Sequence, residues 1–265
     1  MASDIALTTY AGPAGDHNDR SMHAVRLLGE VMAQRLNVDA EVIGFPVSSD
    51  PQSWDVELER ARAPLGEMAT RIDAVMAADQ LPVSAITRCA VALATQPIIV
   101  RHRPDAVVVW LDAHADIHVP GDTRTGYLGG MALSGPLGWW DSGLGAGLAP
   151  GHAILVGSRD LDPAELAHVQ RGRVDLVALG PALGDRLAAQ IAGRPVYFHL
   201  DCDVLEPGLF QTDYQVPDGL SLDGLRDCAE TVAKHEVIGI EIGEFEGEGR
   251  ATVNDLIAAL APMLA

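Results

Sequence analysis

The amino-acid sequence predicts an α/β fold, in which helices cover both faces of a mostly parallel β-sheet to give three layers, α/β/α. Short runs rich in β-branched residues alternate with longer helical patterns throughout the 265 residues. Several runs, such as VVVWL and VIGIEI, are apolar on both faces, which is typical of parallel strands between two helical layers. No repeat or linker-like change in composition divides the chain, so we expect a single domain over residues 1–265.

Eight strands are predicted, each a short apolar run. Their ranges are 5–8, 41–45, 83–86, 106–111, 153–156, 174–179, 196–200 and 237–242. Seven helices are predicted from the segments around and between these strands. Their ranges are 20–36, 54–78, 90–101, 164–171, 183–192, 221–235 and 251–264. Ligands of such sheets bind at the carboxyl ends of the strands, so the polar residues that directly follow each strand are candidates for chemistry.

The composition excludes several classes of partner. A formal net charge of −19 would repel a nucleic-acid backbone or an anionic membrane surface, and it suits metal ions or cationic small molecules. The three cysteines, Cys89, Cys202 and Cys228, form no disulfide framework and favour a reducing compartment. We recognise no signal peptide and no run of about 20 apolar residues, the length that a membrane-spanning helix needs. These features predict a cytoplasmic protein.

Two clusters of acidic residues follow predicted strands. The segment WLDAHAD contains Asp112, His114 and Asp116, and the segment HLDCD contains Asp201 and Asp203. The acidic groups alternate, so an extended chain would point them to one side of each strand. Buried carboxylates need a counter-charge, and carboxylates with an imidazole suit Mn²⁺ better than Zn²⁺. The clusters therefore predict a two-metal site that holds a hydroxide nucleophile.

A simpler interpretation of the first cluster makes its aspartates helix caps or turn formers and its histidine a hydrogen-bonded core residue. The second cluster, which lies at the end of another strand, argues against that interpretation. Both segments resemble the arginase, or ureohydrolase, family, whose DAHxD and SxDxDxxDP motifs are similar to DAHAD and HLDCDVLEP. The resemblance implies two Mn²⁺ ions bridged by Asp112 and Asp201. Asp116 would complete the first site, and His114 with Asp203 would bind the second ion.

The likeness runs from about residue 82 to the end of the chain and extends to the substrate site. The segment GSRDLD is similar to the family's GxRDxD motif, whose last aspartate, here Asp162, contacts the amino group of the substrate. The segment IGIEIGE resembles the strand that delivers a guanidinium-binding glutamate, which is Glu244 in this sequence. A shift of register to Glu246 remains an alternative. Asp116 is the implied acid/base, and Glu244 would orient the reacting group.

Three positions depart from the family pattern. ITRCA stands where the family has GGDHS, so Cys89 takes the place of a histidine that binds the first metal. The alternative for Cys89 is a small buried hydrophobic residue. His118 replaces the asparagine that arginases use for the substrate carboxylate. Gly129, in TGYLGGM, takes the place of a proton-shuttle histidine, and we expect the gap to leave room for a substrate hydroxyl.

The departures are similar to a subgroup of the family that hydrolyses Nω-hydroxy-L-arginine to L-ornithine and hydroxyurea in antibiotic biosynthesis. The resemblance therefore implies a dimanganese amidinohydrolase in which a metal-bridging hydroxide attacks the guanidino group of a small amino acid. Two alternatives remain open. One is a ureohydrolase for arginine or another guanidino compound, such as agmatine. The other is a non-catalytic metal-binding homologue, which the missing GGDHS motif and shuttle histidine favour.

Overall fold

The computed structural model describes residues 4–264, and its centre is one eight-stranded sheet. The strands are β1 (Ile5–Tyr10), β2 (Ala40–Ile43), β3 (Leu81–Ile86), β4 (Val107–Leu111), β5 (Ala153–Val156), β6 (Asp175–Val177), β7 (Val196–Asp201) and β8 (Val237–Gly243). They lie in the order β2-β1-β3-β8-β7-β4-β5-β6, and each neighbouring pair is parallel. The sheet is therefore fully parallel, where the sequence predicted a mostly parallel one.

Helices cover both faces of this sheet. They are α1 (Arg20–Leu36), α2 (Trp54–Ala77), α3 (Ala92–His102), α4 (Pro163–Gln170), α5 (Leu183–Ile191), α6 (Leu222–Val232) and α7 (Arg250–Leu260). Side chains of β4 alternate between two hydrophobic clusters: Val107 and Val109 pack with α1, α5, α6 and α7, while Val108 and Trp110 pack with α2 and α3. The predicted three-layer α/β/α fold is confirmed. In the described part of the chain, no helix is both long and apolar enough to cross a membrane.

Most of the predicted helices and strands begin and end within a few residues of those in the structure, and α1 has the predicted bounds. The predicted helix 90–101 differs: a 3-10 turn at Cys89–Val91 precedes α3. This turn is the first segment after β3, so Cys89 lies at the carboxyl edge of the sheet.

The expectation that an extended chain points the acidic groups to one side of each strand is wrong for both clusters. β4 ends at Leu111, before the cluster starts, because the Asp112 carboxylate accepts the backbone N–H of His114 at 2.6 Å and turns the chain. Likewise, the Asp201 carboxylate accepts the N–H of Asp203 at 2.7 Å and opens a 3-10 turn. The acidic groups converge through these turns rather than through an extended strand.

The order of the strands decides which loops meet. β3, β8, β7 and β4 are consecutive neighbours at the centre of the sheet. Because all four are parallel, their carboxyl ends lie at one edge, where the ligands of open α/β sheets bind. The loops after these strands carry Cys89, Glu244 and the two acidic clusters.

Candidate active site

A cavity of about 330 Å³ opens at this edge of the sheet. Most of the side chains that the sequence singled out line it, namely His114, Asp116, His118, Asp162, Asp201, Asp203 and Glu244. Gly129 also contributes to the lining. Cys89 and Asp112 do not line the cavity and are 1% and 0% exposed. The structure therefore brings the predicted site residues together around one cavity and its buried floor.

Two groups of metal-ligand type share one residue. Cys89, Asp112 and Asp116 offer ligand atoms that all lie within 4.8 Å of one another, and so do Asp112, His114 and Asp203. Asp112 belongs to both groups, as a bridging ligand would. Asp201 belongs to another such group with Cys89 and Glu244, and its Oδ2 lies 3.2 Å from Cys89 Sγ.

The charges in these groups do not balance without cations. Burial and then repulsion from Asp203 raise the pKa of Asp112 to about 7, and burial raises the pKa of Asp116 and Asp201 as well. Burial disfavours the charged form of His114, yet its hydrogen bonds to Asp112 and Asp203 raise its pKa to about 12. One imidazolium cannot neutralise four buried carboxylates. Oxygen donors with one imidazole and one thiol fit two divalent cations.

Cys89 is held inside this acidic cluster. Its thiol donates to Asp201 Oδ2 and lies 3.2 Å from His199 Nε2. Burial and then the charge of Asp201 raise the pKa of the Cys89 thiol well above its usual value. A bound cation reverses that effect, because a coordinated thiol loses its proton.

A buried series of hydrogen-bonded and stacked side chains contacts both Cys89 and Asp112. His199 lies 2.7 Å from Glu241 through Nδ1, and its ring stacks on Trp110 with a centroid distance of 3.5 Å. The Trp110 indole N–H donates to Asp112 at 2.9 Å. The sequence did not lead us to predict these contacts. One signal was present, since His199 stands where the family motif begins with serine.

Glu244 lines the cavity and pairs with the buried guanidinium of Arg88. Its carboxylate accepts the backbone N–H of Cys89 at 2.9 Å and Nη1 of Arg88 at 2.6 Å. Burial raises the pKa of Glu244 to about 7, although the Arg88 charge opposes the shift. The φ angle of Glu244 is 61°, a left-handed value that a non-glycine residue adopts at some energetic cost. Strain of this kind is common at functional sites.

Arg88 is a second residue that sequence reasoning missed. It is fully buried and donates to Asp16 at 2.9 Å and to Glu246 at 2.8 Å, besides Glu244. Its signal was the arginine in ITRCA, at the place of the aspartate in GGDHS. Glu246 faces this buried cation and Arg20, and it is not part of the cavity lining, whereas Glu244 is. The structure therefore favours Glu244 over the alternative register.

A further group of side chains in the cavity lining is formed by His118, Asp162 and Glu165. His118 Nε2 lies 3.1 Å from Asp162 Oδ2, while Asp162 Oδ1 caps α4 by accepting the N–H groups of Ala164 and Glu165. Glu165 was not predicted; it completes a capping box with Asp162. One oxygen of Asp162 is thus used by the fold, and the other is directed toward His118.

Comparison with known proteins gives the relationship. The profile of the arginase family matches residues 24–259. This chain belongs to the arginase family. Among its relatives, the N(omega)-hydroxy-L-arginine amidinohydrolase of Streptomyces lavendulae is 36% identical over 241 residues, 91% of this chain and 88% of that protein. The resemblance drawn from DAHAD and HLDCD is therefore confirmed.

Solved structures of arginase-family proteins share the fold. The arginase from Bacillus cereus matches with a TM-score of 0.86 at 20% identity, covering 99% of this chain and 98% of that one. The Entamoeba histolytica arginase, in complex with L-ornithine, matches with a TM-score of 0.84 at 19% identity, covering 98% and 99%. At such low identity these likenesses establish the three-layer architecture.

One departure from the arginase-family pattern has an unexpected structural basis. We expected Gly129 to leave an empty space in the cavity wall, and this expectation is wrong. A Cβ atom placed on Gly129 would lie 2.4 Å from Cε1 of Tyr127. The Tyr127 ring therefore occupies the position at which a side chain of residue 129 would begin.

Proposed function

We propose that this arginase-family chain is a dimanganese amidinohydrolase that converts Nω-hydroxy-L-arginine to L-ornithine and hydroxyurea. One observation carries the proposal: two groups of metal-ligand type share the buried Asp112, and members of both groups line the same cavity as Glu244. The 36% identity to a hydroxyarginine amidinohydrolase over 91% of the chain supports the choice of substrate.

The proposed ligands divide between two ions. Cys89 and Asp116 would bind the first ion, His114 and Asp203 would bind the second, and Asp112 would bridge them. Asp201 would be the other bridging ligand, which its contact with Cys89 supports. When bound, two such cations supply a hydroxide nucleophile near neutral pH and stabilise developing negative charge.

Side chains of the protein would bind and orient the substrate. Glu244 would pair with the guanidino end, and the hydrogen bonds from Arg88 and from the Cys89 backbone fix its carboxylate for that task. His118 and Asp162 would bind the amino-acid end. Asp116, which lines the cavity, would exchange a proton with the leaving amine.

The N-hydroxy substrate suits a site without a shuttle histidine. An N-hydroxyguanidine is much less basic than a guanidine, so its neutral form is available for attack near neutral pH. The reaction then depends less on a separate proton-transfer residue at position 129.

The test is a side-by-side measurement of kcat/KM on Nω-hydroxy-L-arginine, L-arginine and agmatine with Mn²⁺-loaded protein. We expect hydroxyurea and ornithine from the first substrate, with a preference over arginine of at least about 100-fold, because a site built for a substrate hydroxyl rejects an analogue without it. Asp203→Asn should abolish turnover and weaken metal binding. Cys228→Ala, a buried cysteine outside the cavity lining, is the matched control and should leave both unchanged.

Each alternative has a distinct outcome. Equal rates on arginine and hydroxyarginine would leave a general ureohydrolase and remove the proposed substrate. Turnover of agmatine alone would remove the role of Asp162 and His118 at an amino-acid end. No turnover of any of the three substrates, with two ions bound, would favour a non-catalytic homologue.

A further inference from the structure

Tyr127 and the residue at position 129 compete for the same space. A Cβ on Gly129 would lie 2.4 Å from Cε1, 2.6 Å from Cζ and 2.8 Å from the hydroxyl oxygen of Tyr127. These distances are shorter than van der Waals contact allows, so either residue can carry a side chain there, but not both in these positions. The protein thus has a phenol hydroxyl where a side chain from Gly129 would begin.

The Tyr127 hydroxyl lies in the cavity and is available to a ligand. Tyr127 lines the cavity together with Asp116 and Glu244. Within residues 4–264, no hydrogen bond to its hydroxyl oxygen is formed, although its backbone N–H donates to Thr125. A half-buried hydroxyl of this kind can therefore donate to, and accept from, a ligand in the cavity.

Ring contacts connect Tyr127 to the proposed metal ligands, because its neighbour Tyr214 lies 5.1 Å from the His114 ring, measured between centroids. Burial raises the pKa of Tyr127 well above its usual value, and the next largest cause is the charge of Glu244. The hydroxyl therefore stays protonated, and it shares the cavity with Glu244, the group proposed to bind the guanidino end. It can donate one hydrogen bond and accept another at that end.

Neighbouring rings hold Tyr127 in place. Its ring lies 4.2 Å from the His17 ring and 6.2 Å from the Tyr214 ring, measured between centroids. His17 is fixed in turn by Asp213 at 3.1 Å. A preorganised hydroxyl discriminates between ligands better than a mobile one, because binding costs less conformational entropy.

We propose that the Tyr127 hydroxyl forms a hydrogen bond with the N-hydroxyl group of the substrate and is the contact that sets the preference for hydroxyarginine over arginine. An N–OH group donates and accepts one hydrogen bond each, which matches a phenol. Arginine has no such group, so its binding leaves the Tyr127 hydroxyl unpaired in a desolvated site. This inference rests on the proposed function of the site and adds the residue that recognises the N-hydroxyl group of its substrate.

The test is Tyr127→Phe, which removes one oxygen atom and keeps the ring. We expect kcat/KM for hydroxyarginine to fall by at least about 10-fold, and that for arginine to change by less than about 3-fold, so that the preference collapses. Because a recognition contact acts on binding, the loss should include a raised KM. The melting temperature and the Mn²⁺ content should stay those of the parent protein. Tyr10→Phe is the matched control: Tyr10 is a buried tyrosine outside the cavity lining, and the variant should keep the parental ratio of the two kcat/KM values.

A second pair of variants tests the competition for space. Gly129→Ala should lower the preference for hydroxyarginine, because the new methyl group displaces the Tyr127 ring. In a Tyr127→Ala background, the same Gly129→Ala change should have no further effect on the preference, and such non-additivity identifies the two sites as coupled.

The outcomes separate this inference from the proposed function. If the parent protein prefers hydroxyarginine and Tyr127→Phe keeps that preference, the role of Tyr127 is overturned and the proposed function stands. Equal losses on both substrates would likewise overturn it, because they indicate a structural role. If the parent protein turns over neither substrate with Mn²⁺ bound, the proposed function and this inference fail together.

Discussion

At the scale of single residues, the site depends on which carboxylates face the cavity and which face the interior. Glu244 and Glu246 are two positions apart, and both accept hydrogen bonds from the buried Arg88. Glu244 also lines the cavity, whereas Glu246 does not and accepts further hydrogen bonds from Arg20 and Asn18. Both glutamates therefore pair with the Arg88 guanidinium, but only Glu244 can contact a ligand in the cavity.

Substitution of these glutamates should separate activity from stability. We expect Glu244→Gln to lower kcat/KM by at least about 100-fold, because the group that orients the substrate loses its charge. Glu246→Gln should keep kcat/KM within about 3-fold while costing about 1–3 kcal/mol of unfolding free energy, since it removes one partner of a buried ion pair. Steady-state kinetics and urea unfolding measure both effects. A larger kinetic loss in Glu246→Gln than in Glu244→Gln would restore the alternative register.

Cys89 gives a second residue-scale prediction. Cys89→His should retain the first metal site, because imidazole is the ligand that the family has at this place and it binds Mn²⁺ as a borderline donor. Cys89→Ala should lose that site, which metal titration monitored by elemental analysis would show as one ion per chain instead of two. Cys228→Ala is the control for loss of a buried thiol. Two ions bound by Cys89→Ala would show that Cys89 is only a buried hydrophobic residue.

The residues that sequence reasoning found share one property, which is their place in a short contiguous motif. Asp112, His114 and Asp116 follow each other within five positions, so a pattern can reveal them. The missed contacts come from residues far apart in sequence. His199 meets Glu241 because the two are register partners between β7 and β8, and a sequence does not state that these strands are neighbours. Tyr127 could be read as part of TGYLGGM, but its ring position depends on the loop conformation.

At the scale of elements, the fold was predictable because short apolar runs of strand length alternate with longer helical patterns along the chain. α1 was predicted with its observed bounds, and it buries one face against β1 while the opposite face is polar. The error lay just beyond the strand ends, where side chains, and not periodicity, set the direction of the chain. Asp112 and Asp201 turn the chain by accepting backbone N–H groups two residues later, and those turns bring the ligand side chains together.

Packing between a helix and the sheet can be tested with two glycines. Gly29 lies in α1, where a Cβ atom would approach Thr9 Oγ1 to 2.1 Å and both other Thr9 side-chain atoms to 3.1 Å. Gly29→Ala should therefore cost about 1–3 kcal/mol of unfolding free energy through overpacking. A Cβ atom on Gly66 in α2 would meet no atom of the described residues within 4 Å, so Gly66→Ala should instead stabilise by about 0.5–1 kcal/mol. Denaturant unfolding of both variants measures the difference, and equal effects would contradict the close packing of α1 on β1.

At the scale of the whole molecule, the chain is acidic and a small part of this acidity lies inside the fold. Of the 37 aspartates and glutamates, four aspartates are buried together at the edge of the sheet. Folding therefore brings these carboxylates side by side, where bound protons or cations must compensate their charge. The predicted single domain, cytoplasmic location and role in antibiotic biosynthesis remain predictions, as does the exclusion of nucleic-acid partners.

The stability of the metal-free protein should consequently fall as the pH rises. In the folded state the pKa of Asp112 and of Glu244 is raised to about 7, so the folded protein holds protons that the unfolded chain has already released. Stability decreases with pH wherever the folded state binds more protons, here from about pH 4 to about pH 7. His114 acts in the same direction above about pH 6.5, because its folded-state pKa is raised to about 12.

Metal binding should reverse this dependence. Mn²⁺ replaces the extra protons, so its stabilising effect should grow from about pH 5.5 to about pH 8, and binding should release protons. Thermal unfolding with chelator and with excess Mn²⁺ at both pH values measures the first effect, and calorimetry in buffers of different ionisation enthalpy measures the second. Asp112→Asn is the control, because an amide carries no charge to titrate: its chelator-treated form should lose part of the pH dependence. A metal-free melting temperature that rises over this range would mean that the carboxylates are compensated within the protein, and the case for two cations at the site would lose its electrostatic basis.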